Sequence, residues 1–391
     1  MTGEVTREVP LPPAGDRPEY EGNAVHTEYV TAEARTEHGT AEDSPELRTS
    51  EDRTGHGTPE SQTEGQTEDR TEDRTEGRTG SRALRRVDWR KGRGVAVLSV
   101  CCAAALLAHP FVPDGAGNSG SLIETFVPWS ALVVPPLLLL ALLRRSGLAL
   151  ISVLLPVLAW LALFGGSLTD RRGSAGELMV VSHNVGAENP DPEGTARALA
   201  ASGAQVIAVQ ELSPTAREKF QRALPPRYRH HTVQGGVGLW STYGISAAEP
   251  LEIMPWPRAL RATLATPKGP VTVFVAHLAS VRVTSGSGFT TDRRDAAAGL
   301  LTDAVNRDPA ADILLVGDFN GTANDRGLSP LLRGMTSAHE VAGDGFGFSW
   351  PARLPLARID HIFARGLQPV SAQTLPATGS DHLPVLASFA F

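Results

Sequence analysis

Asp318 and Asn320 stand two positions apart at the end of an apolar run, Ile313-Leu314-Leu315-Val316, that reads as a strand buried on both faces. Gly317 lets the backbone turn there. Residues i and i+2 of an extended segment point the same way, so the acid and the amide can face one cleft. A carboxylate that can take a proton, beside an amide that can donate to an anionic oxygen, suits hydrolysis at phosphorus. For this stretch alone an acidic turn after a core strand serves as well. Similar residues close or open other strands. His183-Asn184 follows Leu178–Ser182, Gln210-Glu211 follows Val206–Val209, and His277 follows Val271–Ala276. Asp360 lies inside Arg358-Ile359-Asp360-His361, around the strand Ile359–Phe363, and Ser380-Asp381-His382 leads into Val385–Phe389. Each has an ordinary alternative: Asn184, Glu211 and Asp381 as caps, His277 as a core histidine, Asp360 as a partner of Arg358. Six such groups at strand ends of one domain point instead to a ligand, because α/β sheets bind ligands there.

The elements that must position these residues begin near Glu177. Short apolar strands, with Gly238–Trp240 among them, alternate with Ala-rich amphipathic helices over Gly194–Ala201, Thr215–Ala223 and Asp292–Asn306. The pattern predicts an α/β domain over 173–391, long enough for a substantial core.

The series SHNV (182–185), VQEL (209–212), AHL (276–278), GDFNG (317–321), RIDHIF (358–363) and SDHLPV (380–385) resembles the endonuclease/exonuclease/phosphatase superfamily of metal-dependent phosphoesterases. The resemblance covers roughly residues 177–391. It implies a four-layer α/β sandwich, two packed sheets with helices outside, and Mg2+-assisted hydrolysis of a phosphate ester, with Mn2+ or Ca2+ as other candidate ions. Carried over residue by residue, it implies Glu211 as the main metal carboxylate with Asn184 and Asp381 nearby. Asp318 would orient or deprotonate water, and Asn320 would donate to the phosphoryl group. His382 would pair with Asp360, and His277 would be a second histidine on phosphate. Mg2+ is hard, prefers oxygen and keeps several waters, so one or two carboxylates suffice. The family often carries a Ser-Arg pair after its Gly-rich strand, where this chain reads Gly238-Leu239-Trp240-Ser241-Thr242. No GxSxG, HExxH or GxxxxGK[ST] occurs.

The rest of the chain places this domain. Residues 1–80 hold 20 acids and 8 bases, and residues 81–93 hold 6 bases and 1 acid, so the net charge of −7 belongs to a tail. The tail, 1–81, lacks hydrophobic periodicity, and Thr63, Thr67, Thr71 and Thr75 open Thr-Glu-x-x tetrads. This composition predicts a disordered, solvated segment. Within 82–172 a basic flank precedes three apolar runs, about 94–113, 122–143 and 148–164, each about the length needed to cross a bilayer. Six bases before the first run, and Arg144 and Arg145 between the second and third, predict a cytoplasmic tail and an extracytoplasmic carboxyl domain. Arg171 and Arg172 after the third run weigh mildly the other way. Cys101 and Cys102 lie side by side in an apolar run, so no disulfide framework follows from them.

Three substrate classes compete. Residues 173–391 hold 18 bases and 19 acids, which argues against a nuclease without closing that reading. A site at the outer face of a bilayer suits a phosphorylated lipid, such as a polyprenyl pyrophosphate. Three spans followed by an outward domain also look like the actinobacterial membrane proteins associated with teicoplanin resistance. Lipid phosphatase ranks first, nucleic-acid hydrolysis second, phospholipid head-group hydrolysis third; a domain that keeps the fold and only binds is the non-enzyme alternative. The expected partners are the bilayer and the substrate, with no stable protein partner predicted.

Overall fold

The computed structural model describes residues 91–391 apart from 116, 175 and 287. The tail over 1–81 and the basic flank before residue 91 lie outside the described residues.

Three helices are long and apolar enough to cross a membrane: Arg93–Phe111, Ser119–Arg144 and Gly147–Leu168. The first holds α1 (Arg93–Ala108). The second holds α2 (Ser119–Phe126) and α3 (Val134–Arg144), joined by a 3-10 stretch, Val127–Val133, where Pro128 removes a backbone donor. The third holds α4 (Gly147–Ser152) and α5 (Leu154–Phe164). Only 17% to 33% of each span is buried inside the protein. Leu107, Leu143 and Leu158 stand exposed, an arrangement that suits lipid and not water.

The second half is a four-layer sandwich, as the motifs led one to expect. In chain order its elements are β1 (Leu178–Asn184), α6 (Pro192–Ala201), β2 (Val206–Gln210), α7 (Pro214–Ala223), β3 (His230–Gln234), β4 (Val237–Ser241) and β5 (Gly244–Leu251). There follow β6 (Ala259–Thr266), β7 (Gly269–His277), β8 (Val283–Thr284), β9 (Gly288–Phe289), α8 (Asp292–Arg307) and β10 (Ile313–Asp318). The chain closes with α9 (Ser329–Leu332), β11 (Thr336–Ser337), α10 (Ala338–Ala342), β12 (Asp360–Arg365), β13 (Gln368–Thr374) and β14 (Val385–Ala390). One sheet runs β13-β14-β1-β2-β4-β3 and the other β11-β12-β10-β7-β6-β5.

Alternation along the strands builds the layers. Val180, Val206, Ala208, Leu314 and Val316 point between the sheets and fill the central core. Their neighbours Val181, Ile207 and Val209 meet α6 and α7 on one outer face. Ile313 and Leu315 meet α8 on the other. Three sequence-predicted helices are present with one- or two-residue extensions, but β3, β5, β6 and β13 were not anticipated. The edge strand β5, Gly-Ile-Ser-Ala-Ala-Glu-Pro-Leu, is largely exposed and offers no apolar alternation. Ala-rich β6 has weak strand propensity and is held by pairing to β7 along its whole length.

The spans are tied to this sandwich. Glu124, 3% exposed within the second span, accepts from Arg326 Nη2 at 2.7 Å and Nε at 3.0 Å, and Arg326 also donates to the Val112 carbonyl. Trp129 Nε1 donates to Leu356 O at 2.8 Å and its ring stacks on Phe348. A charge inside an apolar span is costly unless paired, and here the partner comes from the loop that follows Asn320.

Candidate active site

Register brings the chemistry-bearing residues to one edge of the sandwich. In the second sheet Asp318 lies opposite His277 on parallel β7 and opposite Asp360 on antiparallel β12. In the first, Asn184 pairs with Gln210, the residue before Glu211, and Ser182 pairs with Val385, three residues after His382. Parallel strands ending and antiparallel strands beginning at one edge put residues far apart in sequence into one cleft. The sheets pack face to face, so the two edges meet there.

Asp318 is at the centre and 1% exposed. Its Oδ2 accepts from Asn184 Nδ2 at 3.0 Å, and its Oδ1 accepts the Asn320 backbone N–H at 2.9 Å. The Nε2 atoms of His277 and His382 stand 3.7 and 3.8 Å from Oδ2. His382 Nδ1 bonds Asp360 Oδ2 at 2.8 Å, and the Asp360 and Ile359 backbone N–H groups rest on Ser349 Oγ. Glu211 follows β2 in a left-handed backbone conformation, φ 56°, costly for a non-glycine residue. Its Oε1 is 3.5 Å from His277 Nε2, and its Oε2 accepts the Ala187 N–H at 3.3 Å. Asn320, also left-handed at φ 47°, gives one amide hydrogen to Leu278 O at 3.0 Å, leaving the other for a ligand. Asp381 is exposed on the rim, where its Oδ2 accepts from Trp350 Nε1 at 3.2 Å.

The electrostatics sort these groups. Burial alone would push the His382 imidazole down, but Asp360, with Asp318 and Asp381 beyond it, raises its pKa to about 10. Burial drives the Asp318 carboxyl upward, opposed by His382 and by the Asn184 and Asn320 donors. Burial holds His277 well below the usual histidine range, and the positive charges of Arg258 and His382 add to that. His277 is thus neutral, and its buried Nε2 has no hydrogen-bond partner.

Asp318, Asp360 and His382 lie close enough for their ligand atoms to surround one ion. A charged imidazole makes a poor metal ligand, however, so this triad is better suited to handling protons and phosphoryl charge. Glu211 fits a hard cation better. It is a partly exposed carboxylate whose nearest basic group is the neutral His277, with no Lys or Arg ion pair among the described residues, whereas Asp318 also faces the protonated His382. Of the eight residues singled out from sequence, Asn184, Glu211, His277, Asp318, Asn320, Asp360 and His382 are joined by the contacts above. Asp381 joins them only through its neighbour His382. Sequence reasoning missed Ser349 and Trp350, which sit in an irregular loop, and Arg258, which directly precedes unanticipated β6. Ser380, inside SDHLPV, bonds Asn184 O at 2.7 Å and accepts the His382 N–H at 3.1 Å.

A family model described as the Endonuclease/Exonuclease/phosphatase family matches residues 181–382. No curated protein matches the chain. Among solved structures, a mannosyl-6-phosphatase of Bacteroides thetaiotaomicron is 17% identical, with a TM-score of 0.46, covering 55% of this chain and 100% of its own. TDP2 of D. rerio, complexed with a single-strand DNA product, is 18% identical with a TM-score of 0.46, covering 54% and 98%. Sphingomyelinase C of Streptomyces griseocarneus is 19% identical with a TM-score of 0.42, covering 55% and 99%.

Proposed function

We propose, from the premise that the chain belongs to the endonuclease/exonuclease/phosphatase family of phosphoester hydrolases, that it is a membrane-anchored, divalent-metal-dependent phosphoesterase acting on a lipid-linked phosphate. The observation that carries this is the bonded chain Asp360–His382 beside Asp318–Asn184, in one buried cleft of a domain tied to three apolar helices. Mg2+ held at Glu211, with Asn184 and Asp381 completing its surroundings, would supply Lewis-acid polarisation of a phosphoryl oxygen. Asp318, held by Asn184 and the Asn320 N–H, takes the proton of the attacking water. Its burial raises its basicity, which a general base needs. His382, kept protonated by Asp360, donates from Nε2 to the phosphoryl oxygens and balances their charge. His277 Nε2, which has no protein partner, and the second Asn320 amide hydrogen are available to the phosphoryl group.

The lipid assignment is supported by the spans and by the near-neutral balance of 18 bases and 19 acids over 173–391, which gives no broad basic surface for nucleic acid. In this reading residues 82–172 anchor the chain, the tail lies in the cytoplasm and the domain of residues 173–391 faces outward. That layout is the basis for the finer likeness to the teicoplanin-associated membrane proteins. The test is phosphate release by the purified full chain with Mg2+, on polyprenyl pyrophosphate against plasmid DNA. Phosphate from the lipid and intact plasmid are expected. Plasmid nicking without phosphate release would make the protein a nuclease.

A further inference from the structure

Beside the phosphoryl centre lies a pocket lined by three arginines whose guanidinium groups have no hydrogen-bond or ion-pair partner among the described residues. It has a volume of about 500 Å3, and its lining includes Trp256, Arg258, Ser280, Arg282 and Arg293. The Arg258 carbonyl accepts the His277 N–H at 2.8 Å, so the pocket and the centre share a wall. Among the described residues the lining holds one acid, Asp292, and none of the three guanidinium groups makes a hydrogen bond or ion pair. Arg258 is half-buried. Burial pushes its pKa down, while Glu211 and Asp318 pull it up from a distance. A partly desolvated, unpaired guanidinium is costly unless a ligand supplies the anion, and its planar fork suits phosphate.

A second, independent observation says where that anion comes from. Arg282 and Thr290 bracket the β8–β9 hairpin, which is docked on the loop joining the first two spans. The Phe289 N–H donates to Gly117 O at 2.9 Å, and Asn118 Nδ2 donates to Phe289 O at 2.8 Å. Trp256 and Val283 stand 51% and 71% exposed at this pocket and hairpin, and such residues suit a lipid–water boundary. The pocket thus runs from the phosphoryl centre toward the segment that meets the bilayer.

We propose that this pocket holds a second phosphoryl group next to the scissile one, so that the protein prefers diphosphates of membrane amphiphiles to monophosphates. The proposal rests on the phosphoesterase reading of the adjacent centre. Water forms a new P–O bond to the terminal phosphorus while its proton passes to Asp318. The bond from that phosphorus to the bridging oxygen breaks, and the electron pair leaves with the inner phosphate. Lipid monophosphate and inorganic phosphate are the products, and Arg258, Arg282 and Arg293 face the charge that grows on the leaving group.

The test uses the full chain in nanodiscs with Mg2+, comparing kcat/KM on a prenyl diphosphate and a prenyl monophosphate of equal chain length. Arg282→Ala/Arg293→Ala is expected to lower the diphosphate value at least about tenfold and to leave the monophosphate value within about twofold, the scale of lost charge-assisted hydrogen bonds. A second arm measures methylenediphosphonate binding by calorimetry in EDTA, where wild type should bind at least about tenfold tighter than it binds inorganic phosphate and the double variant should lose that margin. Equal losses on both lipids, or a wild-type preference for the monophosphate, overturn the proposal. Binding that follows the arginines without hydrolysis of either lipid would retain the diphosphate pocket and reject the phosphoesterase reading. Hydrolysis without arginine-dependent binding would reject the pocket and retain the centre.

Discussion

Replacing Arg294 by Met should cost the protein about 4 kcal/mol at pH 7, and that cost should shrink as the pH falls. Arg294 and Asp325 are both fully buried and joined by two guanidinium–carboxylate bonds, one of them, Nη2 to Oδ1, 2.9 Å long. Arg294 Nη1 also reaches Asn320 O at 3.3 Å, and Asp325 Oδ1 accepts Ser121 Oγ at 3.2 Å from the second span. The pair therefore fixes the loop between Asn320 and the second apolar helix. Without the guanidinium the Asp325 carboxylate is stranded in a dry site, and burial already drives its pKa above the ordinary 3.8 with Arg294 present. Its escape is to fold protonated. Holding a carboxyl neutral at pH 7, against an unfolded pKa of 3.8, costs 1.36 kcal/mol for each of the 3.2 units between them, roughly 4 kcal/mol. The folded variant then binds one more proton than the unfolded chain, so its stability rises as pH drops, by about 1.4 kcal/mol per unit down to about pH 4. Thermal unfolding of the full chain in detergent reads this as a Tm about 8–16 °C below wild type at pH 7, with the gap narrowing at pH 5. Arg294→Met/Asp325→Leu should recover most of it, because an apolar pair leaves no stranded charge. A penalty that does not change with pH, or a double variant as unstable as the single one, would refute the account.

The centre supports three further expectations. Asp318→Asn and His382→Ala should each lower kcat by about 10^2 to 10^4 on the true substrate; the melting temperature should hold for Asp318→Asn and fall for His382→Ala, which leaves the buried Asp360 carboxylate without its cationic partner; steady-state assay with thermal melts checks this, and near-normal turnover would remove their roles. Glu211→Gln should move the Mg2+ activation curve to higher concentration by at least about tenfold, and EDTA should abolish wild-type turnover until Mg2+ is restored. Gly317→Ala should destabilise by about 2 kcal/mol or more, because the residue sits at φ 143° with an added Cβ driven into the Ala276 carbonyl; a melt within a degree of wild type would show that β10 and β7 can part there.

What the sequence disclosed and what it withheld follow one physical rule. The strands it revealed, β1, β2, β4, β7, β10, β12 and β14, carry dense apolar residues because both their faces are covered, and all but β4 present one of Asn184, Glu211, His277, Asp318, Asp360 and His382. Candidate catalytic groups are legible when they end a buried strand, since the switch from apolar to polar is abrupt there. Arg258, Arg282, Arg293 and Trp350 lie in or beside segments without such a boundary: an Ala-rich strand, a two-residue hairpin, a helix start and an irregular loop. Their neighbours are fixed by pairing across β6–β7 and by hydrogen bonds to the second span and the loop before it, contacts whose sequence separations of 171 for Asn118–Phe289 and 227 for Trp129–Leu356 leave no local periodicity. Asp318 and Glu211 can be matched to a reaction by residue type and spacing. The groups that would choose among substrates sit where tertiary contact alone places them, so a chain of this kind discloses its chemistry before its specificity.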